Sequence, residues 1–498
     1  MPKKRKTLKD FDCPKTITIN STGIMIHPYV KNQSKLIESM CSIKEFNGRF
    51  YHNVETTGFY MKEIDMFLTH ECFQTKLLQE QFPDYIIDIK TPDMGKQIPT
   101  YELNDDIDLT DVQYDVMSKA INSRRNKIFL NLPTAMGKTV IAIQLMISVL
   151  SKKVFIMCFR NTILKQWIRM MKEHTNTDMS KVCLIDSGAQ LDAILDNNFV
   201  QQDCHIFLAT PTLLHRFGEK HGWNKINDIF TNLGIGVKIY DEAHRHLGNI
   251  IKIDAVTNVY KTIYLSADFK QADEHKNRLY KRVFKNADVF KLDRDVVDDL
   301  KYTNAIVIHY STNPTEEDRK KIFGNNHGFS KFEFMRYEIS QKILLNAAKH
   351  YISIIQESNK FNSRILVLVS LVEHVELLYE EFKSIYSDSY IIGRFHSKVP
   401  EDEKKVVLSS AQIIISTYQS FSTGLDLQGD KIGHILSLDQ VNEVEDNQSA
   451  GRGRRDDRFD TYYYIFVDDS FPYCIRKLRK RLQYLYNQKI KQIFSLRY

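Results

Sequence analysis

No run of about eighteen uninterrupted apolar residues occurs in the 498-residue sequence, so a membrane-spanning helix is not expected. Cysteine is sparse: seven residues (Cys13, Cys41, Cys72, Cys158, Cys183, Cys204, Cys474), an odd number, scattered, without a Cys-x-x-Cys pair. That argues against a disulfide framework and a zinc site, and for a reducing, intracellular compartment. The opening "MPKKRKTLKDF" lacks the apolar core of a secretory signal. An excess of one charge is also missing, since 69 basic residues against 62 acidic leave only +7. Such a balance permits a polyanionic partner without requiring one.

What is present is material for several cores. A length of 498 residues with 43% hydrophobic content predicts two to four domains. Charge is concentrated at the two ends. Lys3, Lys4, Arg5 and Lys6 follow Pro2 and read equally as a nuclear-import signal or as a basic tail touching nucleic acid. From Ile475 to Tyr498 there are eight Lys or Arg and no acid, with Tyr484, Tyr486 and Phe494 interleaved. This predicts a basic C-terminal helix: Leu478, Leu482 and Leu485 pack inward, and the other face is free for nucleic acid.

Residues 1–105 read as mixed short strands and helices, a small α+β accessory domain in which a nucleic-acid-binding role is considered, closed by a linker over Lys90–Asp106. An alternation follows. Short β-rich runs ("KIFLNL", "VFIMCF", "HIFLAT", "VKIYDE", "TIYLSA") are separated by helical patterns such as "TVIAIQLMISVL". A second series ("AIVIHY", "RILVLVS", "YIIGRF", "QIIIST", "HILSLD", "YYYIFV") comes after a charged hinge near Leu292–Tyr302. Buried strands alternating with amphipathic helices predict two α/β lobes with parallel sheets, over 106–298 and 299–498.

Three motifs carry chemistry. In "IFLNLPTAMGKTVIAIQLM" a strand leads through Pro133, Thr134, Ala135, Met136 and Gly137 into a helix starting at Lys138-Thr139. Backbone N–H groups at such a helix start bind phosphate, Lys138 neutralises it, and Thr139 can hold Mg²⁺. Leu132 replaces the first glycine of the usual loop pattern. "VKIYDEAHRHL" ends a strand in Asp241-Glu242, two acids at the carboxyl edge of a sheet. Asp241 is expected to reach the Mg²⁺, partly through water, and Glu242 to orient or deprotonate the attacking water. In "QSAGRGRR", Arg452 and Arg455 are three apart, so both guanidinium groups leave one helix face, where a planar fork matches phosphate oxygens; Gln448 could position water.

In this order, the motifs resemble those of superfamily 2 helicases over about Leu109–Val467, with phage recombination helicases of the UvsW type and poxvirus transcript-release helicases nearest in wording. The resemblance implies tandem RecA-like lobes, ATP and Mg²⁺ as cofactors, and ATP held between the lobes. It implies that Gln113 reads adenine and that Gly424 and Asp426 sit at the lobe interface. Arg160, Gln166, Thr210 and Pro211 would contact nucleic acid. "LSAD" (Leu265 to Asp268) resembles a coupling motif ending Ser-Ala-Thr, from which Asp268 departs. The implied activity is an ATP-dependent helicase or translocase on nucleic acid, DNA favoured over RNA, in a replication, recombination or transcription setting. A nuclear location is one of the two readings of the basic N terminus, and a viral origin is one reading of the resemblance. A transcript-releasing translocase, an RNA helicase and a binding module with a vestigial ATP site stay open, the last opposed by intact Lys138, Asp241, Glu242, Arg452 and Arg455. Trp167 and His396 read as a helix-face apolar residue and a turn residue.

The arginine motif generates a test. Arg455→Ala should leave ATP affinity largely intact while slowing hydrolysis by on the order of 10³-fold; equal loss of affinity and rate in steady-state assays would contradict the assignment.

Overall fold

The computed structural model describes residues 11, 13–46, 51–62, 64–70, 73–104, 107–132, 137–245, 247–266, 274–292, 303–324, 328–358, 363–421, 432–439, 446, 449–451, 453, 460–488 and 490–498. The chain forms two compact units, 1–292 and 293–498. Among the described residues no helix is long and apolar enough to cross a membrane.

The first unit opens with β1 (Thr16–Ile19), β2 (Ile24–His27), a separate hairpin of β3 (Ser42–Phe46) and β4 (Tyr51–Thr56), then β5 (Gly58–Met61), β6 (Met66–Thr69) and β7 (Ile86–Ile89). Five of these make a mixed sheet in the order β5-β6-β2-β1-β7, with β7 parallel to β1 and the rest antiparallel. A parallel sheet follows, built from β8 (Lys127–Asn131), β9 (Val154–Cys158), β10 (Val182–Leu184), β11 (Ile206–Ala209), β12 (Val237–Asp241), β13 (Lys261–Ser266) and β14 (Asp288–Lys291). The second unit holds β15 (Thr303–Tyr310), β16 (Arg364–Val369), β17 (Ile392–Phe395), β18 (Ile413–Thr417), β19 (Ile432–Ser437), β20 (Thr461–Asp468) and β21 (Ile490–Arg497), again all parallel.

The two parallel sheets share one topology. Their orders are β10-β11-β9-β12-β13-β8-β14 and β17-β18-β16-β19-β20-β15-β21, so each runs third, fourth, second, fifth, sixth, first, seventh. Alternate side chains along each strand feed opposite faces. In the first sheet Ile128, Leu130, Ile156, Leu208 and Ile239 join one buried cluster, with Val116, Ile141 and Trp167 from covering helices. Phe129, Phe155, Phe207, Tyr240 and Tyr264 join the other, with Leu214, Ile229 and Ile251.

The structure departs from the sequence reading in three places. The expected basic terminal helix stops at Gln488, and Ile490–Arg497 turn back as β21 beside β15. Of that helix's basic residues, Arg481 is fully buried. Its Nη2 donates to Asp446 Oδ1 at 2.7 Å, an acid that also accepts from Tyr463 Oη at 2.7 Å. The segment read as a linker is pinned along the first parallel sheet's unit: Lys96 N–H donates to Gly234 O, Ile98 N–H to Ser151 O and Tyr101 N–H to Ile147 O, with Ile98 and Tyr101 buried. The helix after Gly137 changes at Leu145 into π-helical turns running to Leu150. The hinge over 293–302 lies outside the described residues.

The N-terminal sheet is fixed to the parallel sheet by a buried charged network. A Cβ on Gly23 would lie 2.7 Å from Ala255 Cα, so only glycine permits this approach. Asp254, fully buried on helix Leu247–Val256, has Lys238 Nζ 2.6 Å from Oδ1 and accepts there from Tyr240 Oη at 2.8 Å. Its Oδ2 accepts from Tyr264 Oη and lies 3.0 Å from His70 Nε2. Burial alone would raise the Asp254 carboxyl, but Lys238 and His70 outweigh it and hold it well below the carboxylate range. Burial also lowers Lys238, opposed by Asp254, and we take the pair as ionic because the carboxylate is so strongly favoured. Burial pushes His70 down to about 4. Removing one partner strands the other charge. Asp254→Ala should therefore destabilise the first unit by about 3–5 kcal/mol in urea unfolding; a loss under about 1 kcal/mol, the size of an exposed pair, would contradict the docking role.

Candidate nucleotide and nucleic-acid site

Because the strands are parallel, their carboxyl ends share one edge, where open α/β sheets bind ligands. The first unit places its motifs there. Thr210 follows β11, Arg160 follows β9, Asp241 ends β12, Ser266 ends β13, and the loop with Gly137 follows β8. Sheet order makes these neighbours: β11, β9, β12, β13, β8.

At the loop, Gly137 has φ +69°, a left-handed conformation that side chains disfavour. A Cβ there would meet Gln113 Nε2 at 2.3 Å, so Gln113 stands against the loop. Gln113 is held by a capping box on helix Asp111–Ile121: its Oε1 accepts from Thr110 N at 2.9 Å, and its own N–H donates to Thr110 Oγ1. Lys138 is 9% exposed, and its ammonium donates to Leu132 O at 3.0 Å. Thr139 follows on the same helix. Pro133, Thr134, Ala135 and Met136 lie outside the described residues.

Asp241 is held at both oxygens. Oδ1 accepts from Glu242 N at 2.9 Å and Oδ2 from Trp167 Nε1 at 2.9 Å. Burial, then the Glu242 charge, pushes its carboxyl up to about 6, against the Trp167 hydrogen bond and the Lys138 charge. Glu242 has φ +51°, and a non-glycine residue in that region costs on the order of 1–2 kcal/mol. Such strain persists where surrounding structure imposes it, and often at functional sites. The Glu242 Oε2 atom is buried and takes no hydrogen bond. His244 Nδ1 lies 3.2 Å from it, a contact without hydrogen-bond geometry, and pairs with Ser266 Oγ at 2.9 Å. Burial, with Arg245 and Lys138, pushes His244 down to about 3, so its imidazole is neutral at physiological pH.

The donor chemistry fits Mg²⁺. Thr139, Asp241 and Glu242 offer only oxygen, the ligand this hard cation takes, and one buried carboxylate oxygen has no donor. Among the described residues no group of three or more His, Cys, Asp or Glu could hold a metal. A cation at Asp241 would therefore complete its shell with phosphate and water.

On the β9 and β11 side, the Arg160 and Arg245 guanidinium groups lie 5.4 and 5.2 Å from the Phe159 ring centre. Burial, then Arg245, lowers Arg160. Gln166 is half-buried on helix Asn161–His174, which Arg160 precedes. Thr210 caps helix Pro211–His221, its Oγ1 accepting from Leu213 N at 3.2 Å, with Pro211 at the first helical position. A local capping role thus accounts for Thr210-Pro211 on its own. Trp167 and Arg245 belong to this edge, although the sequence reading gave neither a role in it. A buried indole N–H needs an acceptor, and that requirement was the available signal.

Gly424, Asp426, Gln448, Arg452 and Arg455 of the second unit lie outside the described residues, as does Asp268 of the first. The arginine motif is preceded by Asp446, the acid that Arg481 and Tyr463 hold.

Residues 106–271 match the family model described as the type III restriction enzyme res subunit. Among solved structures, the DEAD-box helicase Mss116 bound to ssRNA and UDP-BeF is 15% identical, covers 78% of this chain and 75% of its own, and has a TM-score of 0.53. An Mss116p double deletion bound to ssRNA and AMP-PNP is 16% identical over 78% and 74%, with a TM-score of 0.52. UvsW of T4 is 16% identical over 97% of this chain and 99% of its own, with a TM-score of 0.35. No curated protein matches the sequence. The likeness to Mss116 supports the paired RecA-like sheets.

Proposed function

We propose that this chain is a superfamily 2 helicase-type ATPase in which ATP hydrolysis drives movement along DNA, as unwinding or branch migration; the family model matched by residues 106–271 and the two RecA-like sheets support this reading. The observation that carries the reading is the shared edge. Lys138, Asp241 and Glu242 stand at the ends of β8 and β12, and Arg160 stands at the end of β9, the strand beside β12.

In this reading Lys138 exchanges the Leu132 carbonyl for phosphate oxygens of ATP, and Gln113 faces the adenine. Glu242 Oε2 accepts the proton of the attacking water. Asp241 and the Thr139 hydroxyl hold Mg²⁺, which when bound neutralises charge on the triphosphate. Gln448, Arg452, Arg455, Gly424 and Asp426 are assigned to the same reaction on their motifs alone. Arg160 and Gln166 meet the nucleic-acid backbone, so binding weakens steeply with salt.

DNA is the proposed partner because the first lobe lacks the Pro-Thr-Arg-Glu-Leu run typical of DEAD-box RNA helicases and its motifs resemble those of DNA motors. An RNA substrate is the second reading, favoured by the ssRNA present in the Mss116 structures.

ATP turnover measured without nucleic acid, and with single-stranded DNA, forked DNA and RNA, tests the proposal. DNA should stimulate most; greater stimulation by RNA favours the second reading, and an unstimulated rate contradicts both. Lys138→Ala should abolish turnover. Glu242→Gln should keep ATP and strand binding while turnover falls by on the order of 10²–10⁴-fold, and wild-type turnover in that variant would remove Glu242 as the base.

A further inference from the structure

Helix Asn161–His174 has two sides with different business. Arg160 precedes its first turn and Gln166 is half-exposed, whereas Trp167, the next residue, is 1% exposed and packed among Ile163, Leu164 and the sheet. An apolar side chain would satisfy that packing. The indole adds an N–H, which costs free energy to bury unless it is paired, and it is paired with Asp241 Oδ2 at 2.9 Å.

That bond completes the restraint on the carboxylate. With Oδ1 taken by the Glu242 N–H, the indole on Oδ2 fixes the plane of the group. Without it, one oxygen loses its donor and the carboxylate is free to rotate about its χ2 bond. The donor comes from the helix assigned to strand contact, and a helix moves as a unit. A shift of Arg160 and Gln166 toward a bound strand would carry the indole with it.

We propose that Trp167 is a positioning residue for Asp241, through which engagement of a nucleic-acid strand by helix Asn161–His174 is transmitted to the hydrolytic acids. The proposal rests on the reading of this edge as an ATP site beside a strand-contact surface. Trp167 touches neither nucleotide nor strand; it acts through Asp241 alone.

The chain contains two tryptophans, Trp167 and Trp223, so full-length protein labelled with fluorotryptophan gives two fluorine resonances, assigned by Trp167→Phe and, independently, by Trp223→Phe. The wild-type chain is titrated with a single-stranded oligonucleotide in the absence of nucleotide, and binding is followed in parallel by anisotropy of the same oligonucleotide carrying a dye. The Trp167 resonance should move as the oligonucleotide saturates. Trp167→Phe should bind the oligonucleotide with unchanged affinity, lose most of its stimulation of ATP turnover, and need about tenfold more Mg²⁺ for half-maximal turnover, the usual size of a lost support to a metal ligand. A Trp167 resonance unmoved at saturation overturns the proposal. So does Trp167→Phe with wild-type stimulation and Mg²⁺ requirement. Failure of the wild-type chain to bind or respond to any oligonucleotide overturns the underlying reading, and the proposal with it.

Discussion

The chemistry of the first unit depends on a half-buried carboxylate held at both oxygens. Asp241 ends a strand buried on both faces, and its charge is supported by an indole N–H, a backbone N–H and the nearby Lys138 ammonium. A buried carboxylate without such partners would take up a proton. Each support comes from a different part of the fold: the helix after β9, the turn after β12, and the helix after β8. Parallel strand order brings those parts together, so the site follows from the sheet rather than from any one loop.

The same requirement explains the strain around it. Glu242 takes a left-handed conformation immediately after Asp241, and its Oε2 is left without a donor. Tyr240, one residue earlier, donates to Asp254, which Lys238 from the same strand also neutralises and which His70 ties to the N-terminal sheet. β12 thus presents Asp241 at its end and contacts the N-terminal sheet's anchor, Asp254, through alternate side chains. One strand therefore contributes both to the N-terminal docking and to the acid pair.

Much of this was legible in the sequence, for a physical reason. β8, β9, β11, β12 and β13, and in the second unit β15, β16, β18, β19 and β20, are inner strands, and burial on both faces writes them as largely apolar runs, Lys238 inside β12 being a departure. β10, β14 and β21 are edge strands and left no such run: Val182–Leu184 is three residues long, Asp288–Lys291 alternates between half-buried and exposed, and all of β21 after Ile490 is exposed. The repeated strand order supplies what local pattern could not, since β21 fills in the second sheet the seventh place that β14 fills in the first. The loop and the acid pair were legible because each is a contiguous motif. Trp167 with Asp241, and His70 with Asp254, were not, because the partners are 74 and 184 residues apart and meet only once the sheets have formed.

The central claim is that the carboxyl edge at β8 and β12 binds the triphosphate. A crystal structure of the chain with Mg²⁺ and a non-hydrolysable ATP analogue tests it most directly. The account predicts the phosphates against Gly137, Lys138 and Thr139, the Lys138 ammonium moved from the Leu132 carbonyl onto phosphate, and the metal beside Thr139 and Asp241. A nucleotide bound elsewhere, with Lys138 still on Leu132, would contradict it.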